Sequence, residues 1–264
     1  MPNEQPEPVA SGHGLSGEES LPPLVRRYVE GALPATASAP RLVRITQIGE
    51  MRRKPGGRWL RFQAEQAFAV TQVGFAWRAW FPVAPLLSLR VVDSYAAGEG
   101  RLEARLWGLV PLMRARGLDV AKGEAIRYLA ELAWIPHAMR ANPELEWRDL
   151  GGRAVEVATC CGSSQVAVRL DFDAAGDIVA ASTQARPREE GGRVVETPWA
   201  GKFTDYDVIS GIRIPKRAEV SWELPDGPFP YWRGTITSLE TDYANGLTTM
   251  SKTTAIRRRS SIRE

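Results

Sequence analysis

From Arg41 onward, apolar and polar residues alternate in short segments that are separated by turn residues. In one segment Phe75, Trp77 and Phe81 share a face, and Arg78 lies on the other. A period of two is typical of β-strands, because successive side chains point to opposite faces. Clusters such as Pro55-Gly56-Gly57 favour hairpin turns. The predicted strands span residues 42–53, 58–71, 75–81, 87–95, 100–107, 145–150, 154–160, 165–172, 178–186, 199–208, 212–223 and 234–243.

A sheet of about ten to twelve strands exceeds what a flat, open arrangement accommodates. Strand twist accumulates across a sheet, so a long antiparallel sheet curls or closes. We therefore predict a mainly β (α+β) fold. It consists of a single strongly curved antiparallel sheet, a half-barrel, with one or two helices in its concave face.

Two segments have helical spacing in place of strand alternation. Within Lys122–Trp134, apolar residues such as Ile126 and Leu129 recur at three- or four-residue intervals, and Pro136 is expected to stop the helix. A shorter helix is expected to begin with Ser20 as its N-cap. Helices inside a curved sheet leave a pocket wherever they do not fill the concavity.

The length of 264 residues suits one β-rich domain, which we assign to residues 20–250. Residues 1–19 are rich in Pro, Glu, Ser and Gly and predict a disordered leader, and residues 251–264 predict a disordered basic tail. The acidic leader and the basic tail offset each other within the net charge of +3. The domain lacks a strong basic field, so nucleic acid is not expected as a partner.

The N-terminal residues show neither the basic start nor the apolar run of a signal peptide, and no window approaches a membrane span. These features predict a cytoplasmic protein without stable membrane insertion. The sequence does not indicate an oligomeric state.

The sequence lacks the usual signatures of catalysis, nucleotide binding and zinc binding. The two histidines are His13, in the predicted leader, and His137, so we expect no metal and no other cofactor. Adjacent Cys160 and Cys161 predict free thiols, one buried and one exposed. A glycosidase-like carboxylate pair stays open, without a preferred spacing, among Glu65, Glu156, Asp171 and Glu219.

A polar stripe follows one flank of the long helix. Arg127 and Glu131 stand four residues apart, which allows an ion pair, and Glu124 and Tyr128 share their flank. One interpretation is a solvated outer face. The other is the polar end of a pocket, where the stripe would hold the headgroup of an otherwise apolar ligand.

Nine tryptophans give the chain a large aromatic surface, which suits either a packed core or the wall of a ligand pocket. Strand alternation predicts that Phe203 and Asp205 oppose Thr204 and Tyr206. If the pocket exists, we expect Arg127 and Glu131 at its polar end. Its walls would then be lined by Trp77, Trp134, Trp199, Tyr206, Trp222 and Trp232.

Several short motifs are more specific than the composition: GEAIRYLAE (123–131), WIP (134–136), PWAGKFTDY (198–206) and GPFPYWR (227–233). In these motifs the chain resembles an uncharacterised bacterial family of unknown function, from about Leu21 to Tyr243. The architecture of that family is similar to the lipoprotein-carrier (LolA-like) half-barrel. The resemblance implies a concave face that is closed by helices and can accept acyl chains.

Three functions are consistent with these observations. The first is a non-enzymatic protein that binds a hydrophobic or lipid-like small molecule in the concavity. The second is an enzyme of unknown reaction that uses Glu131, Arg127 and Tyr206 in the same cavity. A raised pKa of Glu131 would favour the enzyme. The third is a structural or partner-binding domain with a filled core.

Overall fold

The computed structural model describes residues 21–243. Its helices are α1 (Pro23–Ala32), α2 (Leu118–Ala130), a 3-10 helix (Glu131–Trp134) and α3 (Pro136–Ala141). Its strands are β1 (Leu42–Met51), β2 (Leu60–Ala69), β3 (Phe75–Ala84), β4 (Leu87–Ala96), β5 (Glu99–Leu106), β6 (Val110–Arg116), β7 (Glu146–Asp149), β8 (Ala154–Cys161), β9 (Ser164–Phe172), β10 (Ile178–Glu190), β11 (Arg193–Ile209), β12 (Ile212–Leu224) and β13 (Gly227–Asp242). The predicted leader and basic tail lie outside the described residues.

The thirteen strands form one antiparallel sheet in the order β6-β5-β4-β3-β2-β1-β13-β12-β11-β10-β9-β8-β7. The chain begins at the centre of the sheet with β1 and meanders outward to β6. It crosses to the opposite edge through the helices and returns from β7 to β13, which pairs with β1. The predicted single antiparallel sheet is confirmed, with one strand more than the predicted range.

The additional strand is β6, at one edge of the sheet. Its residues from Val110 to Arg114 are all exposed, so apolar and polar positions do not alternate along it. It pairs with β5 through backbone hydrogen bonds, which do not depend on the side-chain pattern. The alternation that predicted the other strands therefore gave no signal here.

The sheet curves around α2. This helix contacts β4, β5 and β6 from one half of the sheet and β8, β9 and β10 from the other. A flat sheet cannot bring two opposite halves against a single helix, so the helix lies in the concave face, as predicted. It begins at Leu118, earlier than the expected Lys122. Pro136 ends the 3-10 helix and begins α3, because proline is tolerated in a first helical turn.

Helix α1 closes part of the same concave face. Its N-cap position is occupied by Pro22, not by the expected Ser20, which lies outside the described residues. Tyr28 Oη donates a 2.7 Å hydrogen bond to the carbonyl oxygen of Ala133, and α1 packs against α3. These contacts join the first helix to the helical crossover.

The inner face of the sheet carries the aromatic core. Phe75, Trp77 and Phe81 are buried and Arg78 is exposed, as the alternation in β3 predicts. Phe62 of β2 lies between them and Trp232, at ring-centroid distances of 5.7 Å from Trp77 and 5.8 Å from Trp232. Offset and edge-on ring pairs of this kind stabilise a core beyond their buried area.

Candidate functional site

A cavity of about 590 Å³ lies between the helical crossover and the concave face of the sheet. Its apolar lining includes Trp77, Phe81, Leu89, Trp134, Phe203 and Trp232. The cavity is also lined by Arg53, Leu112 and Met113, which are exposed to solvent and therefore mark its opening. The concavity is thus not filled by side chains, which disfavours the hypothesis of a filled core.

Arg127 is the centre of the polar end of this cavity. Its Nη1 donates a 2.6 Å hydrogen bond to Asp93 Oδ2, and its Nε donates a 2.9 Å hydrogen bond to Glu131 Oε1. The guanidinium carbon lies 4.9 Å from the ring of Phe75 and 5.0 Å from the ring of Trp77. The guanidinium is therefore held by two carboxylates and lies over two aromatic rings.

A chain of buried hydrogen bonds supports Glu131 from the side of the sheet. Gln66 Nε2 donates to Glu131 Oε2 at 2.6 Å, and Gln47 Nε2 donates to Gln66 Oε1 at 3.4 Å. Trp77 Nε1 donates to Gln47 Oε1 at 2.9 Å. The chain connects strands β1, β2 and β3 to the crossover and fixes the Glu131 carboxylate before any ligand arrives.

Asp93 and Glu124 place two further carboxyl groups at this end. Each residue is 8% exposed, and neither Asp93 Oδ1 nor Glu124 Oε2 has a hydrogen-bond partner. Burial, and then the negative charge of Asp93, raises the pKa of Glu124 well above its ordinary value. A protonated Glu124 can donate a hydrogen bond to Asp93 and so give the buried carboxyl oxygens a partner.

The same buried surroundings determine the pKa values of Glu131 and Arg127. Burial raises the pKa of Glu131, while Arg127 and Gln66 oppose this rise by stabilising the carboxylate. Burial lowers the pKa of Arg127, but the charges of Glu131, Asp93 and Glu124 outweigh it, and the pKa of Arg127 is raised overall. Arg127 therefore remains a cation inside the cavity wall.

The polar stripe of the long helix is thus buried, and Glu124, Arg127 and Glu131 line the cavity. Of the two interpretations, the structure supports the polar end of a pocket over a solvated face. Tyr128 serves a different purpose: its Oη donates to the carbonyl oxygen of Ala69 at 2.8 Å and accepts a hydrogen bond from Asn142.

Six of the eight residues proposed from the sequence line the cavity: Trp77, Arg127, Glu131, Trp134, Trp199 and Trp232. The indole N–H of Trp134 donates to the carbonyl oxygen of Pro215 at 3.0 Å, and that of Trp199 donates to Tyr231 Oη at 2.9 Å. Both donors are therefore satisfied by the protein. Whether these six residues bind a ligand remains a prediction.

Tyr206 and Trp222 lie outside the cavity lining. Asp205 has a φ of 61°, and this left-handed residue interrupts the alternation predicted for β11. Asp205 is exposed, whereas Tyr206 packs edge-on against Tyr28 and donates a 2.8 Å hydrogen bond to the carbonyl oxygen of Ile178. Trp222 is stacked on Tyr231, at a ring-centroid distance of 5.7 Å.

Sequence reasoning missed the strand residues that contact the helix at this site. Gln47, Gln66 and Asp93 each interrupt an otherwise apolar, inward-facing row of a strand, and that interruption was the signal available. Arg186 was also missed. It lines the cavity, and its guanidinium carbon lies 4.8 Å from the ring of Trp199.

None of the strand carboxylates considered for a glycosidase-like pair lines the cavity. Glu156 forms an ion pair with Arg148, and Asp171 forms one with Arg169. Glu65 is exposed, and Glu219 is partly exposed. The carboxyl groups that meet at the cavity are instead those of Asp93, Glu124 and Glu131.

His137 is buried in α3, with 2% of its surface exposed, and burial followed by the charge of Arg140 lowers its pKa to about 4. Cys160 is exposed and Cys161 is buried, both as free thiols, as the sequence predicted. Between residues 21 and 243, no three His, Cys, Asp or Glu side chains are grouped as a metal site requires. In that range no helix has the length and apolar character needed to cross a bilayer.

The sequence was compared with models of known protein families. The model of a family of unknown function, DUF6920, matches residues 19–240. The chain belongs to DUF6920. The DUF6920 match includes every strand and helix described above, apart from the last residues of β13. A comparison with curated proteins gives no match.

Solved structures similar to this DUF6920 member share little sequence with it. A LolA superfamily protein from Nitrosomonas europaea has 10% identity and a TM-score of 0.42, with 83% of this chain and 91% of that chain covered. A putative outer membrane lipoprotein-sorting protein domain from Vibrio parahaemolyticus has 9% identity, 88% and 94% coverage and a TM-score of 0.48. A DUF1329 family protein from Desulfovibrio piger has 12% identity, 85% and 92% coverage and a TM-score of 0.45. At these TM-scores the fold assignment rests on the sheet topology of the protein itself.

Proposed function

We propose that this protein binds a hydrophobic or lipid-like small molecule in the cavity of its curved sheet and does not transform it. The observation that carries the proposal is an open, mostly apolar cavity of about 590 Å³ with one buried polar end. Small-molecule sites are commonly concave, apolar and furnished with a few fixed polar groups. We keep the cytoplasm as the proposed location, on the basis of the sequence alone.

The aromatic wall supports an apolar ligand. The indole N–H groups of Trp77, Trp134 and Trp199 all donate to protein acceptors. A ligand at these rings therefore meets carbon surface with no unpaired donor. Transfer of apolar ligand surface from water to such a wall contributes about 25 cal/mol per Å².

The polar end supports a ligand with one polar group. Arg127 and Glu131 are held by hydrogen bonds on several sides, so they need little reordering when a headgroup arrives. Placing the polar group at this end leaves the apolar part of the ligand against the tryptophans and near the opening.

The proposal is tested by filling the cavity from two opposite walls. Ala104 of β5 and Ala218 of β12 are buried and line the cavity, so Ala104→Phe with Ala218→Phe places two rings in the space. Binding of the neutral dye N-phenyl-1-naphthylamine is followed by its fluorescence and by energy transfer from the wall tryptophans. We expect saturable binding to the wild type and at least tenfold weaker binding to the double variant.

Ala76→Phe is the matched control, because Ala76 is on the outer face of β3 and does not line the cavity. It should bind the dye as the wild type does. Urea unfolding must show that all three proteins are folded. Equal dye affinity in the wild type and in the folded double variant would place the binding site elsewhere and end the proposal.

A second candidate, an acid–base enzyme, is favoured by one specific observation. Burial raises the pKa values of Glu124 and Glu131 in an open cavity, and perturbed carboxyl groups in a cleft are typical of catalytic sites. Ligands extracted from purified wild type and Glu124→Gln would be compared by mass spectrometry. Identical ligand masses support binding alone. A product mass present only with the wild type supports catalysis.

A further inference from the structure

Exposed apolar side chains occupy the two turns that join β3 to β4 and β5 to β6, together with the start of β6. We call this surface the apolar rim and define it as Leu86, Trp107, Leu109, Val110 and Leu112. The exposed fractions are 98% for Leu86, 79% for Leu109, 59% for Leu112, 52% for Trp107 and 48% for Val110. Trp107 Nε1 donates a 2.6 Å hydrogen bond to the carbonyl oxygen of Leu86, so the two turns form one surface.

The fold does not bury the large side chains of the apolar rim. Leu86 and Trp107 have φ values of 63° and 51°, a left-handed conformation that glycine and asparagine adopt more readily. Strain of this kind persists where the surrounding structure or a function compensates for it. Since both side chains are largely exposed, burial in the fold is not the compensation.

The apolar rim is continuous with the opening of the cavity. Leu112 belongs to the rim and also lines the cavity, and the adjacent Met113, with 43% of its surface exposed, lines the cavity as well. A ligand that leaves through this opening therefore passes Leu112 of the rim. An apolar phase that covers Leu112 lies beside the exit.

The charges beside the rim are predominantly positive. The Arg90 guanidinium lies against Gly108 in the β5–β6 turn, where an added Cβ would be 3.0 Å from Arg90 Nη1. Glu103 is the acidic side chain on the neighbouring part of β5, and surrounding guanidinium groups hold its pKa below its ordinary value. These groups belong to Arg105, Arg114 and Arg116.

We propose that the apolar rim docks on the surface of an anionic phospholipid bilayer. Leu86 and Leu109 would enter the apolar layer, Trp107 would lie at its interface, and the arginines would contact the lipid phosphates. Apolar groups combined with basic residues are the combination that binds anionic bilayers peripherally. The role of docking rests on the proposed function, because docking would let the cavity ligand exchange with the bilayer. The docking itself does not depend on it.

The shape of the surface favours a bilayer over a protein partner. Leu86 and Leu109 project from hairpin turns and are not part of the cavity lining, so they suit a fluid phase that adapts to protruding groups. The arginine excess adds attraction to a negative surface, which a bilayer presents over a wide area. A second copy of the chain would instead meet the same positive charge.

The test is co-sedimentation of the full chain with vesicles of phosphatidylcholine, alone and mixed with phosphatidylglycerol. The variant combines Leu86→Asn, which suits the left-handed backbone, with Leu109→Ser. The control combines Ile48→Ser and Val208→Ser, which are 50% and 59% exposed outside the rim. We expect the wild type and the control to bind mixed vesicles, with weaker binding in high salt, and the rim variant to lose affinity at least tenfold.

The cavity variant with Ala104→Phe and Ala218→Phe separates docking from ligand binding. It should bind mixed vesicles as the wild type does, even if it binds no dye. Equal vesicle binding by the rim variant and the wild type would overturn the docking proposal. Self-association through the rim is the alternative. The docking proposal would be overturned in its favour if the wild type binds neither vesicle and light scattering shows a larger oligomer for the wild type than for the rim variant.

Discussion

Arg127 Nη1 lies 2.6 Å from Asp93 Oδ2, and this hydrogen bond joins helix α2 to strand β4 across the polar end of the cavity. The same guanidinium binds Glu131, and the side chains of all three residues are at most 15% exposed. The charges are therefore compensated mainly by one another. Loss of the cation would leave the negative charges of Asp93 and Glu131 without the cation that compensates them.

Arg127→Met should destabilise the fold by roughly 3–5 kcal/mol, because removing one member of a buried ion pair leaves the other charged groups desolvated and unpaired. The free energy of unfolding is measured in urea. As a comparison, Arg101→Met removes an exposed pair with Glu99, which solvent screens, and should leave the free energy of unfolding close to that of the wild type. If both variants unfold at the same urea concentration, the buried cluster contributes no more than a surface pair.

Glu124 should make the protein less stable as the pH rises above 4.5, its ordinary pKa. Its folded-state pKa is raised, so the folded protein holds this proton to a higher pH than the unfolded chain does. The free energy of unfolding therefore decreases as the pH rises. The total decrease is about 1.4 kcal/mol for each unit by which folding raises the pKa, and it is complete above the folded-state pKa. Glu124→Gln keeps a donor for Asp93 and removes the titration.

We therefore expect the stability of Glu124→Gln, relative to the wild type, to increase from pH 5 to pH 8. Urea unfolding at several pH values gives this difference directly. Glu65→Gln, on the exposed face of β2, is the control for replacing a glutamate by glutamine. A flat difference for Glu124→Gln would mean that the Glu124 pKa is the same in both states.

His137 should act in the opposite direction below neutral pH. Its pKa is lowered from 6.5 to about 4, so the unfolded chain takes up the proton first. The stability that depends on neutral His137 is complete above pH 6.5 and is lost toward pH 4. The free energy of unfolding should fall by about 2 kcal/mol between pH 7 and pH 5 for this reason. His137→Met should remove this loss in thermal or urea unfolding. An unchanged acid loss in the folded variant would assign it to other groups.

Tyr206→Phe should leave dye binding unchanged, because Tyr206 lies outside the cavity lining. It should cost about 1 kcal/mol of stability through loss of the hydrogen bond to the carbonyl oxygen of Ile178. Dye titration and urea unfolding of the same preparation measure both effects. A large loss of dye affinity without a loss of stability would return Tyr206 to the binding site.

The fold was largely predictable because burial on one face leaves a period-two record in the sequence. Phe75, Trp77 and Phe81 show it in β3, and the turn glycines divide one strand from the next. Strand β6 leaves no such record because Val110, Leu112 and Met113 are all exposed. The curvature followed from strand number, since twist accumulates across any long sheet.

The site was predictable only in part. Large aromatic residues such as Trp134 and Trp199 are easily identified as inward-facing, and both line the cavity. The pairing of Arg127 with Asp93 was not predictable. Asp93 is 34 positions away in the chain and contacts Arg127 only after the sheet has curved. The alternation predicted from Phe203 to Tyr206 fails at Asp205, because this residue has a left-handed backbone that the sequence pattern does not encode.

The order of the strands has a consequence for how the chain assembles. Pairs such as β4 with β5 join neighbouring segments, but β1 with β13 joins Leu42 to Asp242. Closing so long a loop costs more chain entropy than closing a hairpin, so this central seam is the slowest contact to establish. Pulse-labelling of backbone amides during refolding should show protection within the hairpins, including β1 with β2, before it appears at the amides that pair β1 with β13. The centre of the folded sheet is therefore expected to form last, when its two halves pair through β1 and β13.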